Sequence, residues 1–572
     1  MSKMSKVVKD ERDVKETKRV VNFMGGNSYE LNPLDTLKIV SSSSIFGEPQ
    51  YYRDGAFSSK TATKDAVVGS MSRGFYYKDY IDDAIVSLDK YKGKTTSQVM
   101  EDVIDNALEY DYFGTLEWAK RLRKEFLMRL NPQVIMVRAA MSNARKDPKN
   151  VEKNPSILSE TNAEVMQRAD DVLLQLTYFL FVNHGKEKVP NVLKRSWAKK
   201  IESLSKYEVY KYRNHEVGLI DAVRISHAHN EIIDELMKNG TIEIEENNKT
   251  WETLRSNNMS WADIINTLGR LPHMALLRNL RGIFTEIDNY EKTMEILEDL
   301  KNGVKGGKQF PFRYMSAIKA IDSSKDTNNK AAIKDALEDC LDISCANLPH
   351  LKGNNAFLSD NSGSAWGTFN SEYGSVTIGE IDNLSAVIGA VNSDVGTVFK
   401  FGDRLKKFEI LKREGVLSQA RKISEHGDSD VGGSTENGIW LFFKDAIDNN
   451  IHYDNIFIYS DQQAGHGGLY GTSKDAKEYK ERGYSYPSSA RYSAPYIDVY
   501  KLIKDYRAKV NPKVNVYTIQ TAGYNNVLIP ENSYRTSILY GWTGKELVYA
   551  DAINKFWDEK DAQTSAKKCS KN

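Results

Sequence analysis

The sequence predicts a multidomain protein, an all-α part followed by an α/β, Rossmann-like domain. Three observations predict it. The chain has 572 residues, room for two to four domains of ordinary size. From about residue 30 to 345 apolar residues recur three and four apart, the period of a helix with one buried face. After about residue 350 short apolar runs alternate with helical patterns, which indicates a mostly parallel sheet covered on both faces.

In the helical part, "YIDDAIVSLDKY" (80–91), "SQVMEDVIDNALEY" (97–110) and "TLEWAKRLRKEFLMRL" (115–130) carry the period most clearly. "NAEVMQRADDVLLQLTYFLFV" (162–182), "VGLIDAVRISHAHNEIIDELM" (217–237), "MALLRNLRGIFTEI" (274–287) and "NKAAIKDALEDCLDI" (329–343) continue it. Short loops with Gly, Pro or Asn separate them. Successive helix pairs read as a HEAT-like solenoid; with no strict repeat period, an irregular helical domain is the alternative.

In the second part, "NAFLS" (355–359), "GTVFKF" (396–401), "NIFIYS" (455–460) and "VNVYTIQ" (514–520) read as buried strands. "IGEIDNLSAVIGAV" (378–391), "VLSQARKIS" (416–424), "NGIWLFFKDAID" (437–448) and "YIDVYKLIKDYRAKV" (496–510) read as the helices between them. Ligands of such folds bind at the carboxyl ends of the strands.

Composition narrows the function. With 40% hydrophobic and 27% charged residues the chain is a globular protein. A net charge of +1 provides no global field, so any polyanion site must be a local patch. Cys340, Cys345 and Cys569 lack C-x-x-C spacing, which argues against a disulfide scaffold and a structural zinc site and fits a reducing, cytoplasmic setting. No apolar run reaches the roughly 18 residues of a membrane helix. Residues 1–24 are charged without an apolar core and read as a flexible tail.

The chemistry concentrates in "FLSDNSGSAWG" (357–367). Asp360 follows the first strand, with Ser362 and Ser364 in D-x-S-x-S spacing. "GGST" (432–435) precedes the helix over 437–448, and Asp461 follows the strand over 455–460. The hydroxyls of Ser362, Ser364 and Thr435 with the carboxylates of Asp360 and Asp461 form an all-oxygen set suited to Mg2+. Ser434 is the alternative to Thr435. A polar turn built on Ser-Gly-Ser is the alternative to a metal loop.

Asp360-x-Ser362-x-Ser364, Thr435 and Asp461 resemble, in that order, the metal-ion-dependent adhesion site of von Willebrand factor A domains. The resemblance covers about 352 to 556. Ala365 stands where many members have Met, and a Gly- and Tyr-rich segment, 462–495, follows Asp461. In the helical part, "KYRNHEVGLIDAVRISHAH" (211–229), "TWETLRSNN" (250–258), "LPHMALLRNLRGI" (271–283) and "FPFRYMSAIKAI" (310–321) resemble the TROVE module of the Ro autoantigen family. That family combines a ring of HEAT-like helical repeats with a C-terminal von Willebrand A domain. The resemblance implies a ring over 25–348, a von Willebrand A-like domain over 349–556 and a C-terminal tail over 557–572.

It also implies RNA binding without catalysis: structured small noncoding Y RNAs on the outer face, single-stranded ends of misfolded RNA in the central hole, and often a nuclease partner. Lys211 and Tyr212 match the start of the family's RNA-binding segment, Arg213 follows, and His227 matches its later His. His215 stands at the expected Arg, and the loop before Asp221 is a residue short. Read from the residues alone, 186–213 holds nine Lys or Arg against three Asp or Glu, with Trp197, Tyr207, Tyr210 and Tyr212 among them. Such a stretch suits phosphate contact and base stacking, or is a solvated face with core aromatics. Arg278 and Asn279 have either a functional or a packing role. His227 and His229 are too close for the i,i+4 metal pattern, and "GHGGLYGTSK" (465–474) lacks the ending of a phosphate-binding loop. The alternative function is a protein-interaction scaffold acting through the metal site.

Overall fold

The structure, a computed structural model, describes residues 19–21, 27–30, 32–43 and 96–569, apart from 126–127, 184–187, 214–216, 244–249, 310, 367–376, 433–435, 463–476, 479, 487–495, 522–525, 530–533 and 541–545. The helix expected over 80–91 and the Gly-rich 465–474 lie outside the described residues. The chain packs into two compact units, one comprising 32–48 and 96–259, the other including 1–31 and 260–572.

The described residues of the first unit are helices and their connections. Three expected helices are each broken in two, for local reasons. The pattern over 115–130 stops at Lys124 and resumes as Leu130–Met141. Pro132 is tolerated only in a first turn, so a helix containing it must begin just before it. The pattern over 162–182 divides into Ile157–Val165 and Asp171–Asn183. The Asp171 carboxylate takes the backbone N–H groups of Gln167 and Arg168, at 2.9 and 2.8 Å, which holds the turn leading into the second helix. The pattern over 217–237 divides at His227, which is left-handed at φ 61°, and Asn230 caps the next helix by accepting from the Ile233 N–H.

A buried polar network joins four of these helices. The Gln175 amide donates to Gln133 and Asn162, both at 2.7 Å, and accepts from the Trp197 indole at 2.8 Å. Fully satisfied buried polar groups specify one packing rather than many. Arg123 and Asp171 form a buried pair at 2.8 Å in the same unit.

In the second unit the helices Trp261–Leu268, His273–Glu286, Tyr290–Gly307, Pro311–Ser323 and Lys330–Cys345 precede a six-stranded sheet. Its strands are β1 (Leu351–Asp360), β2 (Ser393–Phe401), β3 (Leu405–Glu409), β4 (Asn455–Ser460), β5 (Asn515–Gln520) and β6 (Thr536–Tyr540). Their order is β6-β5-β4-β1-β2-β3, and each pair is parallel except β2 with β3. β4 and β5 are buried along their whole length, as expected of continuous apolar runs between two helical layers. The fold class is thus the expected one, helical and then α/β with the strand order of a doubly wound sheet. The edge strand β3 and the last strand β6 were not anticipated; in "LKKFE" Leu405 and Phe408 are half-buried while Lys406, Lys407 and Glu409 are exposed, the charged character of an edge strand.

The compact units part at 259/260, whereas the sequence places a boundary at 348/349. The helices ahead of the sheet are fastened to it. Lys319 pairs with Glu380 at 2.7 Å, Asp342 accepts the Val416 N–H at 3.0 Å, and Arg421 meets Glu338 at 2.5 Å. The expected tails are also partly ordered. Arg19–Val21 pairs with Asn27–Glu30, which pairs with Asn526–Val527. The last helix, Glu546–Cys569, runs through most of the expected tail over 557–572. Asp561 on it holds Arg535 at 2.8 Å, and Trp557 packs edge-on against Tyr534. Among the described residues no helix is long and apolar enough to cross a membrane.

Candidate metal centre and nucleic-acid interface

β1 and β4 are neighbours at the centre of the sheet, where the strand order reverses. Asp360 ends β1 and Asp461 directly follows β4, so the two carboxylates predicted from sequence meet at one sheet edge. Both are fully buried, and Ser362 is 1% exposed. The Asp360 carboxylate accepts the Ser362 N–H at 2.9 Å with one oxygen and the Ser460 hydroxyl at 2.5 Å with the other. The Ser362 and Ser364 hydroxyls lie 3.4 Å apart on a tight turn, Gly363–Trp366. Ala365 is fully buried in that turn. Ser434 and Thr435 lie outside the described residues.

Three residues absent from the sequence reading shape this loop. Ser460 donates to Asp360 and accepts the Gln462 N–H at 2.9 Å, which sets the direction of the chain through Asp461. Asn383, on the helix Ile378–Val391, exchanges hydrogen bonds with Asn361 and accepts from the Ser359 hydroxyl at 2.6 Å. Its neighbour Asp382 is fully buried.

Burial and the nearby Asp461 push the Asp360 carboxyl up to about 7. Burial, with Asp360 and Asp461 beside it, raises Asp382 well above the carboxylate range. Negative charges gathered out of water disfavour one another, and a divalent cation reverses that cost. Among the described residues no three His, Cys, Asp or Glu side chains converge closely enough to hold a metal by themselves. The set is therefore a carboxylate pair completed by hydroxyls, chemistry that fits a hard, hydrated cation.

The RNA candidates lie in the first unit. Leu193, Trp197 and Ile201 form the buried stripe of the helix Asn191–Glu202, and Arg195 and Lys199 stand on its exposed face. Trp197 is fully buried and Tyr212 is nearly so, which makes both core aromatics and removes them as stacking platforms. Lys211 is paired with Glu252 at 3.2 Å. Arg213 lies over the Tyr210 ring at 3.8 Å, a cation–π contact. His227 is exposed at the end of the helix Leu219–Ser226; His215 is outside the described residues. Asn279 donates to the Ala275 carbonyl at 2.8 Å within its own helix, a packing role. Arg195 and Lys199 were counted in the basic stretch but not singled out; their i,i+4 spacing opposite an apolar stripe was the available signal.

Residues 240–355 match the family model of the TROVE domain. The fold is similar to the crystal structure of the Ro (RSR) protein of Deinococcus radiodurans, with a TM-score of 0.53 and 14% identity over 80% of this chain and 94% of that one. No curated protein matches the sequence. The chain thus matches the TROVE domain over part of its length and shares the helical-then-α/β fold of the Deinococcus radiodurans Ro protein.

Proposed function

We propose that this chain is a Ro-like RNA-binding protein of the cytoplasm. It binds structured, Y-like small RNA and single-stranded ends of misfolded RNA, and acts as a ribonucleoprotein or RNA quality-control component rather than as an enzyme. The observation that carries the reading is the basic face of the helix Asn191–Glu202, where Arg195 and Lys199 project from one exposed side in a nearly neutral protein. Arg213, held flat against Tyr210, extends the same basic stretch. Lys211 contributes less, because Glu252 already offsets its charge.

Filter binding of a structured small RNA over a salt series tests this. Each phosphate contact contributes about −0.9 to the slope of log K against log salt. Replacing Arg195 and Lys199 with Ala lowers the slope by roughly 2 if both meet phosphate. Absence of binding at low salt, or an unchanged slope in the double variant, would overturn the reading.

A second reading concerns the other unit and coexists with the first. Asp360, Ser362, Ser364 and Asp461, with Thr435 or Ser434, would hold Mg2+, which supplies an electrophilic position for a carboxylate or phosphate of a protein partner such as a nuclease. The chain's own residues do the rest. Ser460 orients Asp360, and Asn383 fixes the turn that carries the two serines. Mg2+-dependent capture of a protein that survives nuclease treatment, lost in Asp360→Ala, is the expected result.

A further inference from the structure

Two glycines face each other at the carboxyl end of β2. Gly402 follows that strand, and a Cβ on it would come within 2.2 Å of the Gly432 carbonyl oxygen. Gly432 is left-handed at φ 84°, and a Cβ there would come within 2.3 Å of the Asp403 carboxylate. The contact joins the two parts of the cation-site reading. On one side, the Phe401 carbonyl accepts the Asn361 N–H at 2.8 Å, which ties the D-x-S-x-S loop to the end of β2. On the other, both flanks of residues 433–435, the segment with Ser434 and Thr435, rest on the same turn, 401–404. Ahead of the segment, the Val431 carbonyl accepts the Arg404 N–H at 2.8 Å. After it, the Gly438 N–H donates to the Gly402 carbonyl at 2.7 Å and the Asn437 amide to the Asp403 carbonyl at 3.1 Å. Lys400 is fully buried next to this turn. Its ammonium meets the Asp430 carboxylate at 2.9 Å and donates to the Glu425 carbonyl at 3.1 Å, which fastens the approach to Gly432.

We propose that Gly402 determines which divalent cation the site prefers. Its missing side chain sets the spacing between the D-x-S-x-S loop and the two flanks of 433–435. This rests on the metal-site reading above and adds the selectivity of that site. Mg2+ demands near-ideal octahedral geometry with oxygens at about 2.0–2.1 Å, whereas Ca2+ accepts irregular sets at about 2.3–2.6 Å. A methyl group at 402 meets backbone, which cannot rotate away, so turn and flank must separate. Separation costs a small, rigidly coordinated ion more than a larger, adaptable one. Gly402 is a positioning residue: it acts through the turn and touches no ion.

The test titrates the purified full chain calorimetrically with MgCl2 or CaCl2 alone. Gly402→Ala is expected to weaken Mg2+ binding by about 10-fold, the lower end of the loss for residues that support ligands. Ca2+ binding is expected to fall less, so the preference for Mg2+ over Ca2+ drops. Tyr506→Phe is the control for general loosening. Its hydroxyl donates to the Ile451 carbonyl and accepts the Tyr453 N–H, both at 2.8 Å, just ahead of β4 and so at the other end of the sheet. That variant is expected to unfold at a lower temperature with the wild-type preference. If Gly402→Ala does not fold, Lys400→Met, which loosens the approach to Gly432 without adding bulk at the turn, carries the same comparison. An unchanged preference in the variant, or an equal drop in Tyr506→Phe, would overturn the role of the turn and leave the metal site standing. Absence of binding of either ion by wild type would overturn both readings.

Discussion

Asn361 and Asn383 form a reciprocal amide pair. The Asn361 amide donates to Asn383 at 2.9 Å, and the Asn383 amide donates back to Asn361 at 3.0 Å. Both residues are fully buried. The pair joins the residue just after β1 to the helix that covers it, so the D-x-S-x-S loop is positioned by a side chain 22 residues downstream.

Asn383→Ala therefore does two things. It leaves the buried Asn361 amide and the Ser359 hydroxyl short of partners, at about 1–3 kcal/mol for each unsatisfied group. It also frees the turn carrying Ser362 and Ser364. The expected result is a lower urea midpoint together with weaker Mg2+ binding. A lower midpoint with unchanged Mg2+ affinity would show that the loop holds its shape without this pair.

Trp197→Phe separates a core aromatic from a stacking one. The indole N–H donates to Gln175, and Phe cannot replace it. Loss of stability of roughly 1 kcal/mol is expected from the lost hydrogen bond, since the Gln175 oxygen keeps only the 3.3 Å bond from the Asn162 amide. RNA affinity at fixed temperature, measured well below the unfolding transition, is expected to be unchanged. A specific loss of RNA affinity would mean that the ring reaches RNA after all.

Truncation after residue 556 removes Asp558, Asp561 and Trp557. Arg535 is 2% exposed and loses both carboxylates, keeping only its bonds to Asn515 and the Tyr534 hydroxyl. Stranding a buried charge costs on the order of 3 kcal/mol. A thermal scan is expected to show the α/β unit melting earlier. An unchanged transition would restore the reading of 557–572 as a tail.

His273 predicts a pH effect. Its ring is buried, Nε2 lies 2.8 Å from the Tyr314 hydroxyl, and burial lowers its pKa below the usual 6.5. Gly303 and Gly307 leave the room it occupies; a Cβ there would come within 2.8 and 2.3 Å of the side chain. Below about pH 6.5 the unfolded chain binds a proton that the folded chain resists, so this group's contribution falls as pH drops. His273→Gln should show a shallower loss of stability than wild type between about pH 7 and 5. Parallel pH profiles would show that the ring is protonated equally in both states.

Much of this was legible locally. Helical period located Thr96–Tyr110 and Lys330–Cys345, and short apolar runs located β1, β4 and β5, because each signal is carried by residues close in the chain. The D-x-S-x-S loop was legible because a strand end and its hydroxyls are contiguous. The breaks near Lys124, Met166 and His227 were harder, since a cap or a first-turn proline interrupts a helix without disturbing its apolar period.

By itself the sequence determined the change from helical to α/β architecture and the loop that sets Asp360, Ser362 and Ser364 at a strand end. Only the tertiary structure decided that Ser460, 100 residues from Asp360, hydrogen-bonds to it. It also decided that Trp197 and Tyr212 belong to the core while Arg195 and Lys199 face water. The reason is physical. Periodicity fixes which residues share a face, whereas strand order and packing fix what that face meets.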